Sequence, residues 1–146
     1  MTLRDELRDD PLARGYAKMI DKEALASLTA RDRDVFRDVA ISQLAGVIEE
    51  QALVPALRAV PEASPIYPVA EQLLRFTTGQ TPVTSITYTN PAIRQRTDIG
   101  IGGLVQTGVI TQVQADLIFG LGRATVSRAE ELGLGQINER DIKEAR

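Results

Sequence analysis

The residues of this sequence that are best suited by type and spacing to form a metal or acid/base site are the alternating charges of the segment Arg31–Asp38. Asp32 and Asp34 have the spacing of the first ligands of a calcium-binding loop. The glycine and the closing glutamate that such a loop requires are missing, and the intervening arginines would neutralise the carboxylates. We therefore expect a solvated helix start with local ion pairs rather than a metal or acid/base site.

No other set of carboxylates or hydroxyls has the spacing of a catalytic group. The acidic pairs Glu49-Glu50 and Glu130-Glu131 are consecutive on predicted helices, so their side chains point about 100° apart. None of the five serines, at positions 27, 42, 64, 85 and 127, has a Gly-x-Ser-x-Gly context. Histidine and cysteine are absent, which excludes imidazole bases, thiol nucleophiles, disulfides and metal sites built on these residues. The sequence predicts a non-enzymatic protein with no catalytic residue, no metal and no cofactor.

The glycines of the run Gly100-Ile-Gly102-Gly103 could in principle face a phosphate. A dinucleotide fingerprint needs a preceding buried strand and a following βαβ pattern, and a P-loop needs Gly-Lys-Ser/Thr. The sequence has neither pattern around this run. Close helix packing or a flexible connector is therefore the preferred interpretation of these glycines.

Length and composition indicate one globular domain. The chain has 146 residues, of which 43% are hydrophobic and 25% are charged. A net charge of −3 argues against a general nucleic-acid binder, since phosphate contacts require an excess of basic residues. The N-terminus lacks the apolar core of a signal peptide, and the charge-free segment 99–115 is short for a bilayer span of about 20 residues. We expect no nucleic-acid partner, no membrane association and no conventional secretion.

Charge is sparse in the middle of the chain. Residues 39–90 contain only two basic and four acidic side chains, which predicts a core, a subunit interface, or both. The basic residues of the whole chain are 14 arginines and 3 lysines. This bias suits protein interfaces, because guanidinium groups bind carboxylates bidentately, but it is equally explained by a GC-rich genome.

Helix signals recur along the sequence and predict an all-α fold. Capping residues, several with an acid or glutamine three positions later, precede most apolar-periodic segments. They are Thr2, Asp21, Thr29, Ser64, Asn90, Thr111, Ser127 and Asn138. The apolar spacing from Phe36 to Ile48 predicts one helix that begins at the Thr29 cap and ends near Glu50. Residues 1–146 are thus predicted to form a single small domain of about seven short helices.

The segment 77–90 differs from the rest and is predicted to be an extended, strand-like arm within that domain. It is uncharged and rich in β-branched residues, and Ile86 and Tyr88 alternate with polar neighbours. A lone uncharged strand must have its edge covered, so Val83, Ile86 and Tyr88 are predicted partner-contact residues, through β-augmentation. The alternative is that the arm folds back and inserts the same three side chains into the core.

The two ends of the chain contain its most distinctive sequence segments. The first segment reads Leu3-Arg-Asp-Glu-Leu-Arg-Asp-Asp-Pro-Leu-Ala-Arg-Gly-Tyr-Ala-Lys-Met, followed by Asp-Lys-Glu-Ala. The second reads Thr125-Val-Ser-Arg-Ala-Glu-Glu-Leu-Gly-Leu-Gly, with Asp141 and the terminal Ala145-Arg146. Together they resemble small uncharacterised late-gene (virion structural) proteins of tailed bacteriophages. The resemblance covers roughly the first 28 and the last 35 residues, and the middle of the chain departs from it.

The resemblance implies a virion component and assigns no functional residue. The expected function is a non-enzymatic structural protein of a tailed-bacteriophage particle, in the tail or head–tail apparatus, with capsid decoration as a variant. Expected partners are other phage structural proteins in a symmetric, multi-copy assembly. The expected location is the virion, assembled in the cytoplasm of the bacterial host. The alternative is a non-virion helical assembly chaperone or regulatory protein.

Overall fold

The computed structural model describes residues 1–146, which form nine α-helices and four short strands. The helices are α1 (Leu3–Asp9), α2 (Asp21–Thr29), α3 (Ile41–Glu50), α4 (Val54–Arg58), α5 (Tyr67–Thr78), α6 (Pro91–Gln106), α7 (Gln112–Gly122), α8 (Arg128–Glu131) and α9 (Glu139–Ala145). The strands are β1 (Arg33–Phe36), β2 (Val39–Ala40), β3 (Ser85–Ile86) and β4 (Arg123–Val126). None of the helices combines the length and the hydropathy needed to cross a bilayer.

The chain divides into two compact units. Unit 1 consists of Met1–Val35 and Thr125–Arg146, and unit 2 consists of Phe36–Ala124. The chain leaves unit 1 within β1 and returns to it within β4, and these strands pair in a two-stranded sheet. Compact units can still unfold together, so the single cooperative domain stays a prediction.

Unit 1 contains α1, α2, α8 and α9 around a small apolar core of Leu7, Tyr16, Ala24, Leu28 and Ile142. Its helix starts confirm three of the predicted capping residues, Thr2, Ser127 and Asn138, and each of them forms a capping box. At the last of these, Ile137 packs against the core cluster that contains the fully buried Ile142. That arrangement fits a hydrophobic staple, which fixes the angle at which the chain enters α9.

An ion pair is buried in unit 1. Glu6 is fully buried, and its carboxylate accepts two hydrogen bonds from Arg128, from Nε at 2.9 Å and from Nη2 at 2.8 Å. Arg128 also donates through Nη1 to Glu131 at 3.0 Å. Arg33 donates to that same Glu131 at 2.9 Å. The hydrogen bonds from Arg33 and Arg128, of which the one from Arg33 has the larger effect, hold the pKa of Glu131 below its ordinary value.

Unit 2 contains α3 to α7, β2 and β3 around the larger apolar core. The fully or nearly fully buried members of that core are Val39, Leu44, Ile48, Leu53, Leu57, Val60, Ala70, Leu73, Tyr88, Ile101, Leu104, Ile110, Ala115 and Ile118. Nine of these lie between residues 39 and 90, as the low charge of that segment predicts. Local signals are confirmed at three helix ends, where Asn90 and Thr111 cap α6 and α7 and Gly79 ends α5 with φ of +69°.

The predicted helix from the Thr29 cap to Glu50 is wrong in its first half. Thr29 is the last residue of α2, where its Oγ1 donates to the carbonyl of Leu25 at 2.8 Å. Residues 33–36 and 39–40 are strands, and the helix begins only at Ile41. Contacts with distant residues stabilise the extended backbone, for example the hydrogen bond from Thr125 Oγ1 to Asp34 at 3.0 Å. The protein is therefore helix-rich but not strictly all-α.

The glycine run on α6 provides close helix packing, one of the two predicted roles. A Cβ at Gly100 would lie 3.2 Å from the side chain of Val69, and one at Gly103 would lie 3.1 Å from that of Ile66. Val69 lies in the first turn of α5, and Ile66 is the N-cap residue of that helix. A side chain at either position would crowd these neighbours, so the two glycines permit the close approach.

Candidate partner-binding groove

The surface of unit 2 contains an apolar groove of about 660 Å³. Side chains from α3, α5, α6, α7 and the segment 83–88 form its walls. Its apolar lining includes Leu73, Phe76, Val83, Ile86, Ile93 and Phe119. This volume and this mostly apolar lining are typical of sites that bind a ligand or a segment of a partner.

All three predicted partner-contact residues line the groove. Val83 is 47% exposed at its rim, Ile86 is half-buried, and Tyr88 is only 3% exposed. Ser85, Thr87 and Thr89 are exposed, so the predicted alternation of this strand is confirmed. The Tyr88 side chain is thus inserted into the core, as the alternative interpretation states, whereas Val83 and Ile86 remain accessible to a partner.

The predicted arm is shorter than residues 77–90, because Thr77 and Thr78 belong to α5. Its strand also has a partner in the same unit. β3 pairs antiparallel with β2, with Val39 opposite Ile86 and Ala40 opposite Ser85. Three other strands form where the sequence predicts none, because each is stabilised by pairing with a residue run far away in the chain.

One edge of β3 is open. On the β2 side, the carbonyl of Thr84 accepts a hydrogen bond from the N–H of Ile41 at 3.0 Å. Since alternate residues of a strand direct their backbone groups to opposite sides, Ser85 directs its N–H and C=O away from β2. The sheet has only two strands and Ser85 is exposed, so these groups face solvent beside the groove.

A closed hydrogen-bond network fixes the Tyr88 ring at the back of the groove. The Tyr88 hydroxyl donates to Asp98 Oδ1 at 2.6 Å and accepts from Arg123 Nε at 2.9 Å. Arg123 Nη2 donates to Asp98 Oδ2 at 2.8 Å, which closes the hydrogen-bond network among the three side chains. Burial, together with the hydrogen bond to Asp98, raises the pKa of Tyr88. Sequence reasoning misses this network, since its members lie on three separate elements and match no motif.

Aromatic and glycine contacts complete the support of this ring. The Phe36 ring packs edge-to-face on Tyr88 with 5.9 Å between centroids. The Arg94 guanidinium lies 3.7 Å from the centroid of Phe36, in cation–π geometry. At Gly122, an added Cβ would lie only 2.5 Å from Tyr88 Cδ1. The rigid back wall of the groove therefore depends on a glycine at that position.

The groove is almost uncharged. Arg96 is the one charged residue that lines it, and this side chain is exposed. The ion pairs of unit 2 join Arg75 to Glu71 and Arg123 to Asp98, and neither includes Arg96. The groove and the guanidinium of Arg96 together form an apolar surface with one positive charge.

The charged segment Arg31–Asp38 pairs with distant residues, so the expected local ion pairs are wrong. Arg31 lies 3.7 Å from Glu130, and Arg14 donates to Asp32 at 2.8 Å. The segment is largely extended rather than helical, which separates the side chains that a helix would bring together at positions i and i+4. Asp32 and Asp34 are thereby engaged in the structure of unit 1, whereas Asp38 accepts hydrogen bonds from Thr89 in unit 2.

Unit 2 thus combines an accessible apolar groove, an open strand edge at Ser85 and one charged residue, Arg96, in the groove lining. Comparison with family models, with curated proteins and with solved structures finds no match to this chain.

Proposed function

We propose that the protein is a non-enzymatic structural component of a tailed-bacteriophage particle, located in the tail or the head–tail apparatus. The observation that carries this proposal is the apolar groove beside the open edge of β3. Exposed apolar surface of this kind, next to free backbone groups, is typical of an assembly contact. Its partners are other structural proteins of the particle.

The sequence resemblance supports the same proposal from a different part of the chain. The motifs that resemble late-gene proteins lie within residues 3–24 and 125–146. These two segments, far apart in sequence, both belong to unit 1. The departing middle of the chain, roughly residues 29–111, lies mostly in unit 2, which contains the groove, and the resemblance extends into α7 of that unit. Ends that resemble those of other proteins, combined with a middle that differs, suit proteins that enter similar particles but contact different neighbours.

Mass spectrometry of purified particles tests the proposal. A virion component is expected at a fixed copy number per particle, and enrichment with tail or head–tail fractions would separate that location from capsid decoration. A protein found in infected cells but absent from purified particles would contradict the proposal and favour an assembly chaperone or regulator.

A pair of matched variants tests the role of the groove in incorporation. Val83→Asp places a charge at the groove rim, whereas Val113→Asp places one on α7 at a position that is 71% exposed and outside the groove. Both valines are exposed, so neither change should affect folding much. We expect Val83→Asp to reduce incorporation into particles and Val113→Asp to leave it unchanged. Equal incorporation of the two variants would remove the groove from the assembly contact.

A further inference from the structure

We infer that the apolar groove binds an extended segment of a partner protein that carries apolar side chains and an acidic residue, with the carboxylate paired to Arg96. This inference rests on the proposed function, because it names the chemistry of the partner at the same surface. Three features of unit 2 carry it: the charge of the groove, its open strand edge and the exposure of its rim.

The charge of the groove selects an acidic partner residue. Arg96 has no ion pair, and its neighbours one turn away on α6 are Ala92, Ile93, Ile99 and Gly100, none of them acidic. Arg96 is the one charged residue of the groove lining, so the charge of the groove is positive although the chain as a whole has a net charge of −3. A guanidinium binds a carboxylate bidentately, and such a pair would satisfy the free cation.

The open strand edge selects an extended polypeptide over a free small molecule. Ser85 directs its N–H and C=O away from β2 into solvent, and Thr84 and Thr87 beside it are exposed and uncharged. A peptide strand satisfies such groups through main-chain hydrogen bonds, which an aliphatic small molecule lacks.

The same geometry explains how one segment could use all three features. Alternate side chains of an extended segment point to the same side, about 7 Å apart. A segment added beside β3 would therefore direct every second side chain toward the groove, where Val83 and Ile86 are accessible. Apolar side chains at those positions would bury against the groove lining, and an acidic one near its rim would reach Arg96.

Peptide selection against the full-length protein tests this inference. The probe is a library of short randomised peptides, selected in parallel on the immobilised wild-type chain and on Arg96→Glu. The wild type should enrich peptides in which apolar residues alternate and an acidic residue occupies a fixed position. Arg96→Glu should enrich lysine or arginine at that position, because the variant reverses the charge beside the groove. Arg96 is exposed, so its replacement should leave folding intact.

Binding measurements on one enriched peptide complete the test. Arg96→Glu should weaken its binding by about tenfold or more, and Val83→Asp should weaken it as well, with Val113→Asp as the unchanged control. Identical selections on wild type and Arg96→Glu, or enrichment of peptides without an acidic residue, would overturn the inference. The selection needs no phage particle, so a protein absent from particles but selective for acidic, apolar peptides would refute only the proposed function.

Discussion

Replacing Arg128 with methionine should strongly destabilise unit 1. Glu6 is fully buried, whereas the Arg128 side chain is 10% exposed. Arg128→Met keeps the apolar length of the side chain but removes both hydrogen bonds to the Glu6 carboxylate. A carboxylate that is buried without its counter-ion costs roughly 3–5 kcal/mol of folding free energy. The melting temperature should therefore fall by at least about 6 °C.

The opposite replacement should cost less, and this asymmetry is the sharper part of the prediction. Glu6→Gln removes the buried negative charge, but Arg128 keeps its hydrogen bond to Glu131 at 3.0 Å and its partial access to solvent. We expect a loss of roughly 1.5–3 kcal/mol, the usual cost of weakening hydrogen bonds to a charged group. In the double variant no buried charge is left unpaired, so its destabilisation should be smaller than the two single costs added together.

The wild type, the two single variants and the double variant form a double-mutant cycle. Urea unfolding, followed by far-ultraviolet circular dichroism, measures the free energy of unfolding of each of the four proteins. A Glu6→Gln variant that is as unstable as Arg128→Met, or single costs that simply add, would refute the assignment of Glu6 as the buried member that depends on its partner. A loss of signal in two separate transitions would in addition show that the two units unfold independently.

Three further predictions concern a glycine contact and two titrations. Gly122→Ala should destabilise unit 2 by roughly 1–3 kcal/mol, because its Cβ would lie 2.5 Å from an aromatic carbon; the control Gly120→Ala, with nothing within 4 Å, should not destabilise in thermal melts. Burial raises the pKa of Tyr16 from 10.0 to about 12, so the stability of unit 1 should fall as pH rises through this range, and Tyr16→Phe should remove that dependence in alkaline melts. The hydrogen bond from Arg33 lowers the pKa of Glu131 below 4.5, so stability should fall as pH drops below that value, and a Glu131→Gln variant with an unchanged acid profile would contradict this cause.

The sequence by itself determined several of the helix ends, although the predicted caps Asp21, Thr29 and Ser64 are not N-cap residues in the structure. The capping residues Thr2, Thr111, Ser127 and Asn138 act on backbone groups only two or three positions away, so their effect needs no tertiary contact. The same is true of Gly79, which adopts the left-handed conformation that ends α5. The alternation of exposed and buried side chains over residues 85–89 could be predicted for the same reason, since strand periodicity is a property of neighbouring residues.

The tertiary structure alone decided which side chains meet. The strands β1 and β4 form by pairing across almost ninety positions of sequence, against a local apolar spacing that favours helix at Phe36. Glu6 pairs with Arg128, which lies near the opposite end of the chain. The groove is lined by side chains from four helices and from the segment 83–88. Burial of Tyr88 against Gly122 likewise depends on where α7 ends. Such contacts depend on the simultaneous packing of distant segments, which no local pattern encodes.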